Sequence, residues 1–309
     1  MTVPMLVLFG GADSTVRSAP RAPGCHRPWC EDILLIDSTS RPTIIPTDLH
    51  TDRPHSARMY DYFLGGKDNF PADRAAAEAA KAAFPQVVTA AQANRRFLQR
   101  AVGFLAGEYG IDQFLDVGTG IPTRPNLHEV AQSVIPHAAV VYVDNDPLVL
   151  AHARALLTSS PQGRTAYLDC DLLNPERILS SSEVRDTLDL SRPVALTLIA
   201  VLHFAPDEAD PLAVVGRLLE ALPSGSYLAL SQVTADFDEG SISLLAETYR
   251  ERGISAQPRS RAEVARFVEG LELVEPGIVA AHRWRPDTDL DRGLRDEQVS
   301  VWAALARKP

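Results

Sequence analysis

The sequence predicts a doubly wound α/β domain built on a seven-stranded, mostly parallel sheet, with a helical segment ahead of it. Three observations predict this. The short apolar run Phe114–Val117 leads into the turn Gly118-Thr119-Gly120, as a buried parallel strand entering a glycine turn does. A second apolar run, Val140–Val143, ends in Asp144-Asn145-Asp146-Pro147. Strand-like and helix-like stretches then alternate to the end of the chain.

The elements follow in order. Residues 1–52 are proline-rich with little periodicity and are expected to form a disordered extension, with Ile33–Ile36 as an isolated strand at most. Residues 53–110 are expected to be helical. Ala57–Leu64 and Ala72–Ala83 flank Gly65-Gly66-Lys67-Asp68-Asn69, and Val87–Tyr109 sets Phe97, Ala101, Phe104 and Leu105 at helix-face spacing. Residues 111–309 hold the sheet. Its strands are Gln113–Val117, Val140–Asp144, Thr165–Asp169, Pro193–Ala200, Ser226–Gln232, Leu271–Val274 and Val299–Ala306. The helices between them are Asn126–Ser133 with Pro125 in its first turn, Pro147–Thr158, Asp207–Ala221 and Ser241–Arg252. A last helix is opened by the capping box Ser260-Arg261-Ala262-Glu263.

Composition narrows the functional classes. The chain of 309 residues carries a net charge of −10, and all of it lies on residues 59–309. Such an acidic domain repels phosphate backbones, which argues against nucleic acid as a partner. No apolar run reaches membrane-spanning length, and Met5–Phe9 lacks the flanks of a signal peptide. Three cysteines, Cys25, Cys30 and Cys170, give no paired framework and fit a reducing, cytoplasmic setting. Cys25 and Cys30 lack a matching second pair, so no metal site is expected.

The two strands, with a glycine turn after the first and a carboxylate at the tip of the second, predict a nucleoside site. Glycines let the backbone approach a ligand, and a carboxylate at the tip of the next strand accepts hydrogen bonds from ribose hydroxyls. A dinucleotide fingerprint has a third glycine, but Thr123 stands at that position. This disfavours the pyrophosphate of NAD, whereas S-adenosylmethionine has none. Asp116 is placed to meet the cofactor's cationic amino group, with Gly118, Thr119 and Gly120 in the turn beneath. The N-terminus of the following helix is expected to face the methionine carboxylate. Asp144, with Asn145 beside it, is assigned to the ribose, and Asp146 to the cap of the next helix. Asp171, with Leu172, is assigned to the adenine amino group, Asp169 being the alternative. His203 follows the fourth strand and is either a general base or a structural histidine.

Further motifs lie outside these strand tips. They include Arg58-Met59-Tyr60-Asp61-Tyr62-Phe63-Leu64-Gly65-Gly66-Lys67-Asp68-Asn69-Phe70, Ala93-Asn94-Arg95-Arg96-Phe97, Gly120-Ile121-Pro122-Thr123 and Asn126-Leu127-His128-Glu129-Val130-Ala131-Gln132. Pro276-Gly277 and Trp284-Arg285-Pro286 come near the end. From about Arg53 to Pro309 the chain resembles bacterial S-adenosylmethionine-dependent methyltransferases, and more narrowly a family long catalogued as a domain of unknown function. The resemblance implies the class I, Rossmann-like methyltransferase fold and its cofactor; it supplies no substrate. It also implies that the N-terminal helical segment covers the cofactor and walls the substrate pocket, with Tyr60, Tyr62 and Lys67 facing the cavity. In the opposing reading both tyrosines pack and Gly65-Gly66 ends a helix.

The expected function is transfer of a methyl group from S-adenosylmethionine to a small-molecule acceptor. Aligning the acceptor with an already activated donor is the main requirement, so one base or none suffices. Cofactor binding without turnover is the alternative, followed by an NAD-linked oxidoreductase. Acceptor, methylated atom and oligomeric state are not legible in the sequence.

Overall fold

The computed structural model describes residues 49–149 and 159–309. The expectations for Met5–Phe9, Cys25, Cys30 and Ile33–Ile36 lie outside the described residues.

Three helices come first: α1 (Ser56–Phe63), α2 (Pro71–Ala83) and α3 (Val87–Tyr109). The order is then β1 (Gln113–Val117), α4 (Leu127–Val134), β2 (Ala139–Asp144), β3 (Arg164–Asp169), α5 (Pro175–Ser180), α6 (Ser182–Thr187) and β4 (Ala195–Ile199). After these run α7 (Pro211–Glu220), β5 (Tyr227–Val233), α8 (Glu239–Arg250), α9 (Arg261–Arg266), β6 (Glu272–Leu273), β7 (Val279–Ala280), α10 (Asp289–Arg292) and β8 (Val301–Arg307). The helix expected at Pro147 starts there; its continuation past residue 149 lies outside the described residues.

The sheet order is β3-β2-β1-β4-β5-β8-β6, with β7 also pairing β8. Strands β1 to β5 are mutually parallel, and β8 runs antiparallel to β5, β6 and β7. Alternate residues of the central strands feed two cores, as a pleat requires. Leu115, Val141, Leu196 and Leu228 meet Ile178, Val184, Leu218 and Val264 on one face. Phe114, Val140, Ala195 and Tyr227 meet Phe97, Leu105 and Trp284 on the other. A third core lies outside the sheet layers, where α1, α2 and the start of α3 pack on α8 through Met59, Phe63, Ala77, Phe84, Ile242 and Leu245. Helix α3 thus spans both units: Val87 and Ala91 belong to the third core, Phe97 and Leu105 to the sheet. Its Arg96 and Arg100 also hold the buried Asp291 carboxylate at 2.7 and 2.6 Å, tying the segment between β7 and β8 to the body.

Several boundaries differ from the sequence reading. The sheet has an eighth strand, β7, too short at two residues to show alternation. Helices α5 and α6, six residues each, are likewise below the length at which periodicity registers. Pro125 lies before α4 rather than in its first turn: Asn126 is the N-cap, and Glu129 accepts its backbone N–H at 2.6 Å. The helix expected over Asp207–Ala221 is interrupted at Asp210, whose φ of 47° ends a short 3₁₀ turn while its carboxylate caps α7.

Candidate functional site

The chain leaves β1 and β4, neighbours in the sheet, toward opposite edges, so a crevice opens beyond their carboxyl ends. Asp116 and Thr197 sit in register there, and the Thr197 hydroxyl donates to the Asp116 carboxylate. Burial pushes the Asp116 carboxyl up to about 6, against the lowering effect of the Thr197 hydrogen bond and the Arg95 charge. The turn that follows requires glycine at its first position. Gly118 has φ of 78°, and a Cβ there would lie 2.4 Å from Cγ2 of Val201. Thr119 shapes the turn from within: its hydroxyl donates to the Asp116 carbonyl at 3.1 Å.

The tip of β2 is locked onto this turn. Asp144 accepts the Gly120 N–H at 2.8 Å on one oxygen and the Asp146 N–H at 2.9 Å on the other. Its carboxyl is raised by burial and lowered by those two N–H groups. A carboxylate oxygen accepts two hydrogen bonds, so each retains one acceptor position for a ligand hydroxyl. Asp171, at the tip of β3, accepts from Asn145 Nδ2 and from the Leu173 N–H, both at 2.8 Å, and joins the β2 and β3 tips. Asp116, Gly118, Thr119, Gly120, Asp144, Asn145, Asp171 and Leu172 all line one cavity. Asp169, the alternative to Asp171, is exposed on the strand and does not line it.

Asp146 does more than cap. One carboxylate oxygen accepts the Leu148 N–H at 2.9 Å, while the other takes Arg58 Nε at 2.9 Å and lies 3.1 Å from His55 Nδ1. Arg58 is 2 % exposed and Asp146 1 %. This pair fastens α1 beside Asp144. Tyr60 lines the cavity as expected, although its hydroxyl donates to the Ala91 carbonyl at 2.9 Å and accepts from Asn94 Nδ2 at 3.0 Å.

Tyr62 and Lys67 do not line the cavity, which corrects their assignment. Residues i and i+2 project about 200° apart on a helix, so α1 cannot turn both tyrosines inward. Tyr62 points to α2, where its hydroxyl donates to Glu78 at 2.6 Å. Lys67 is exposed in a loop wrapped around Asp61, whose carboxylate occupies the position of a Gly66 Cβ. The Asp61 carboxylate accepts the Asp68 N–H and Asn69 Nδ2, which makes Gly66 a packing requirement.

His203 lines the cavity but is ill suited to take a proton. Burial and the Arg259 charge push it down to about 3, and its Nδ1 is buried without a hydrogen-bond partner. The start of α4 is not part of the cavity either, contrary to expectation. Glu129 caps it, and the His128 N–H donates to the Tyr142 hydroxyl at 2.8 Å. The cation at the cavity is Arg95, from α3. It donates to the carbonyls of Thr123 and Pro125, and its Nε is buried and unpartnered. Asn94, with its Oδ1 buried and unpartnered, and His55 line the cavity too, as do Ser56, Gln257 and Ser300. Sequence reasoning gave Asn94 and Arg95 no role, although two polar residues on the apolar face Val87, Ala91, Leu98 were a readable signal.

The chain is similar over most of its length to two solved structures. A DUF574 family protein of Streptomyces avermitilis shares 54% identity, over 84% of this chain and 100% of its own, with a TM-score of 0.83. A candidate methyltransferase of Thermobifida fusca shares 43% identity, over 86% of this chain and 99% of its own, with a TM-score of 0.78. No curated protein matches. Residues 42–309 match the S-adenosyl methyltransferase family. A glycine turn and a strand-tip carboxylate at a crevice of the sheet's switch point thus accompany a match over most of the chain: the protein belongs to the S-adenosyl methyltransferase family and is an S-adenosylmethionine-dependent methyltransferase.

Proposed function

We propose that the protein methylates a small-molecule acceptor held between α1, α3 and α8, with each strand-tip residue in a defined cofactor role. The observation that carries this is one cavity with two unlike ends. Carboxylates and Arg95 gather at the strand tips, whereas the wall formed by α1, α3 and α8 is apolar.

S-adenosylmethionine supplies a methyl group activated by a sulfonium. Asp144 accepts from the ribose hydroxyls while the Gly120 and Asp146 N–H groups hold it in place. Asp116 faces the amino group, and Arg95 the carboxylate, of the methionine moiety. Two observations support the fit: Arg95 Nε is an orphan donor in the cavity wall, and at Gly120 no atom lies within 4 Å of a Cβ position. Asp171 and Leu172 border the adenine. His203 acts as a neutral wall residue and does not take up the acceptor's proton; positioning supplies the rate enhancement. Because the cavity continues past the cofactor residues into the third core, turnover is favoured over binding alone.

The net charge of −10 disfavours a nucleic-acid acceptor. Among the described residues no helix is long and apolar enough to cross a membrane. A cytoplasmic setting fits the cysteine content. Calorimetric titration of the full chain with S-adenosylmethionine tests the assignment. Binding that is lost in Asp144→Ala and absent for NAD supports it; equal affinity in the variant refutes the ribose role.

A further inference from the structure

The acceptor end of the cavity carries information on what it takes, given the cofactor placement proposed above, on which this inference rests. Its wall is made of Phe63, Val87, Ile242, Leu245 and Tyr249, on α1, α3 and α8, with Phe84 at the end of α2, all of the third core. Of the side chains lining the cavity that carry charge near neutral pH, Arg95, Asp116, Asp144 and Asp171 belong to or contact the strand-tip end, and His55 lies beside Asp146 there; the other histidine is His203. Arg95 already holds two backbone carbonyls. An acid entering the apolar end therefore loses its water and gains no counterion there.

Besides Arg95 Nε, two buried polar atoms of cavity-lining residues have no partner: Asn94 Oδ1 and His203 Nδ1. Asn94 is 2 % exposed and His203 9 %. The orientation of the Asn94 amide follows from its neighbour. The Tyr60 hydroxyl spends its proton on the Ala91 carbonyl, so toward Asn94 it can only accept. Nδ2 must face Tyr60, and Oδ1 is left as an acceptor in an apolar wall. Such an atom is costly until a ligand donor meets it.

We propose that the acceptor is a neutral, largely apolar small molecule presenting an N–H or O–H donor to Asn94, and that carboxylated or phosphorylated compounds are excluded.

The test uses the full chain, with S-adenosylhomocysteine added first and its binding measured by calorimetry. One-, two- and three-ring aromatic probes are then titrated as matched sets of phenol, methyl ether and carboxylate, for example 2-naphthol, 2-methoxynaphthalene and 2-naphthoate. At least one phenol is expected to bind about tenfold or more tightly than its methyl ether, since only the phenol satisfies the buried acceptor. Its carboxylate should show no binding. Asn94→Leu should remove the phenol preference while S-adenosylhomocysteine still binds. Should that variant not fold, Ala246→Phe, which narrows the apolar end, must abolish phenol binding and spare S-adenosylhomocysteine. Carboxylates binding as well as phenols, no probe binding beside bound S-adenosylhomocysteine, or a preference that survives Asn94→Leu would each overturn the inference. Failure of S-adenosylhomocysteine itself to bind would instead overturn the cofactor placement beneath it.

Discussion

Replacing Arg58 should damage both folding and cofactor affinity, although its side chain does not line the cavity. Its guanidinium lies 2.9 Å from Asp146 and 3.8 Å from Asp73, and both carboxylates are fully buried. Asp73 keeps the N–H groups of His55 and Phe70, whereas Asp146 keeps the Leu148 N–H and the partly exposed His55. Arg58→Met therefore strands a buried carboxylate, which costs roughly 3–5 kcal/mol. Since the Asp146 N–H holds one oxygen of Asp144, the carboxylate proposed to bind the ribose should shift as well. About tenfold weaker S-adenosylmethionine binding corresponds to about 1.4 kcal/mol. Urea denaturation of Arg58→Met, Asp146→Asn and the double variant gives the coupling, expected at about 2 kcal/mol. Additive losses, or unchanged cofactor affinity in a folded Arg58→Met protein, would refute the idea that this pair fastens α1 to the ribose site.

Three further perturbations have defined outcomes. Asp116 titrates at about 6 in the folded chain against 3.8 ordinarily, so between these values the native state holds the proton more tightly than the unfolded one. That stabilisation is complete below 3.8 and is lost as pH rises through 6, an effect of about 3 kcal/mol that Asp116→Asn should remove from the urea profile. Cofactor affinity should move oppositely, rising as pH passes about 6, because the amino group favours the ionised carboxylate. Gly118→Ala should cost about 3 kcal/mol in denaturation, through its positive φ and the clash with Val201, while Gly120→Ala should cost about 1 kcal/mol, having strain but no clash. In proton NMR the His203 ring should stay neutral between about pH 5 and 8; a midpoint near 6.5 would restore it as a base candidate.

The strand tips were legible because their chemistry is local. An apolar run, two glycines and an acid specify a strand, a turn and a ligand group within a dozen residues, and Asp116, Gly118 and Asp144 lie where that pattern puts them. The N-terminal motif misled at Tyr62 and Lys67 because its aromatic and charged residues look functional until helical phase is applied. That phase turns Met59 and Phe63 inward and Tyr62 toward α2. Arg58, within the same motif, carries the long-range link, and no spacing rule pairs residues 58 and 146. Arg95 and Asn94 were hidden for a related reason. They read as two positions of a long helix, and only folding brings them against the β1 turn and α1. The β6–β8 end was partly legible: β8 is a long apolar strand, but β7 and α10 are held by tertiary contacts such as Asp291 with Arg96 and Arg100.

The most direct measurement is a crystal structure of the full chain with S-adenosylhomocysteine. The ribose hydroxyls should lie within hydrogen-bond distance of Asp144, the amino group at Asp116, the carboxylate at Arg95 and the adenine beside Asp171 and Leu172, with the sulfur facing the apolar end. A ligand seated away from the β1–β4 crevice, or a ribose that does not reach Asp144, would contradict the account.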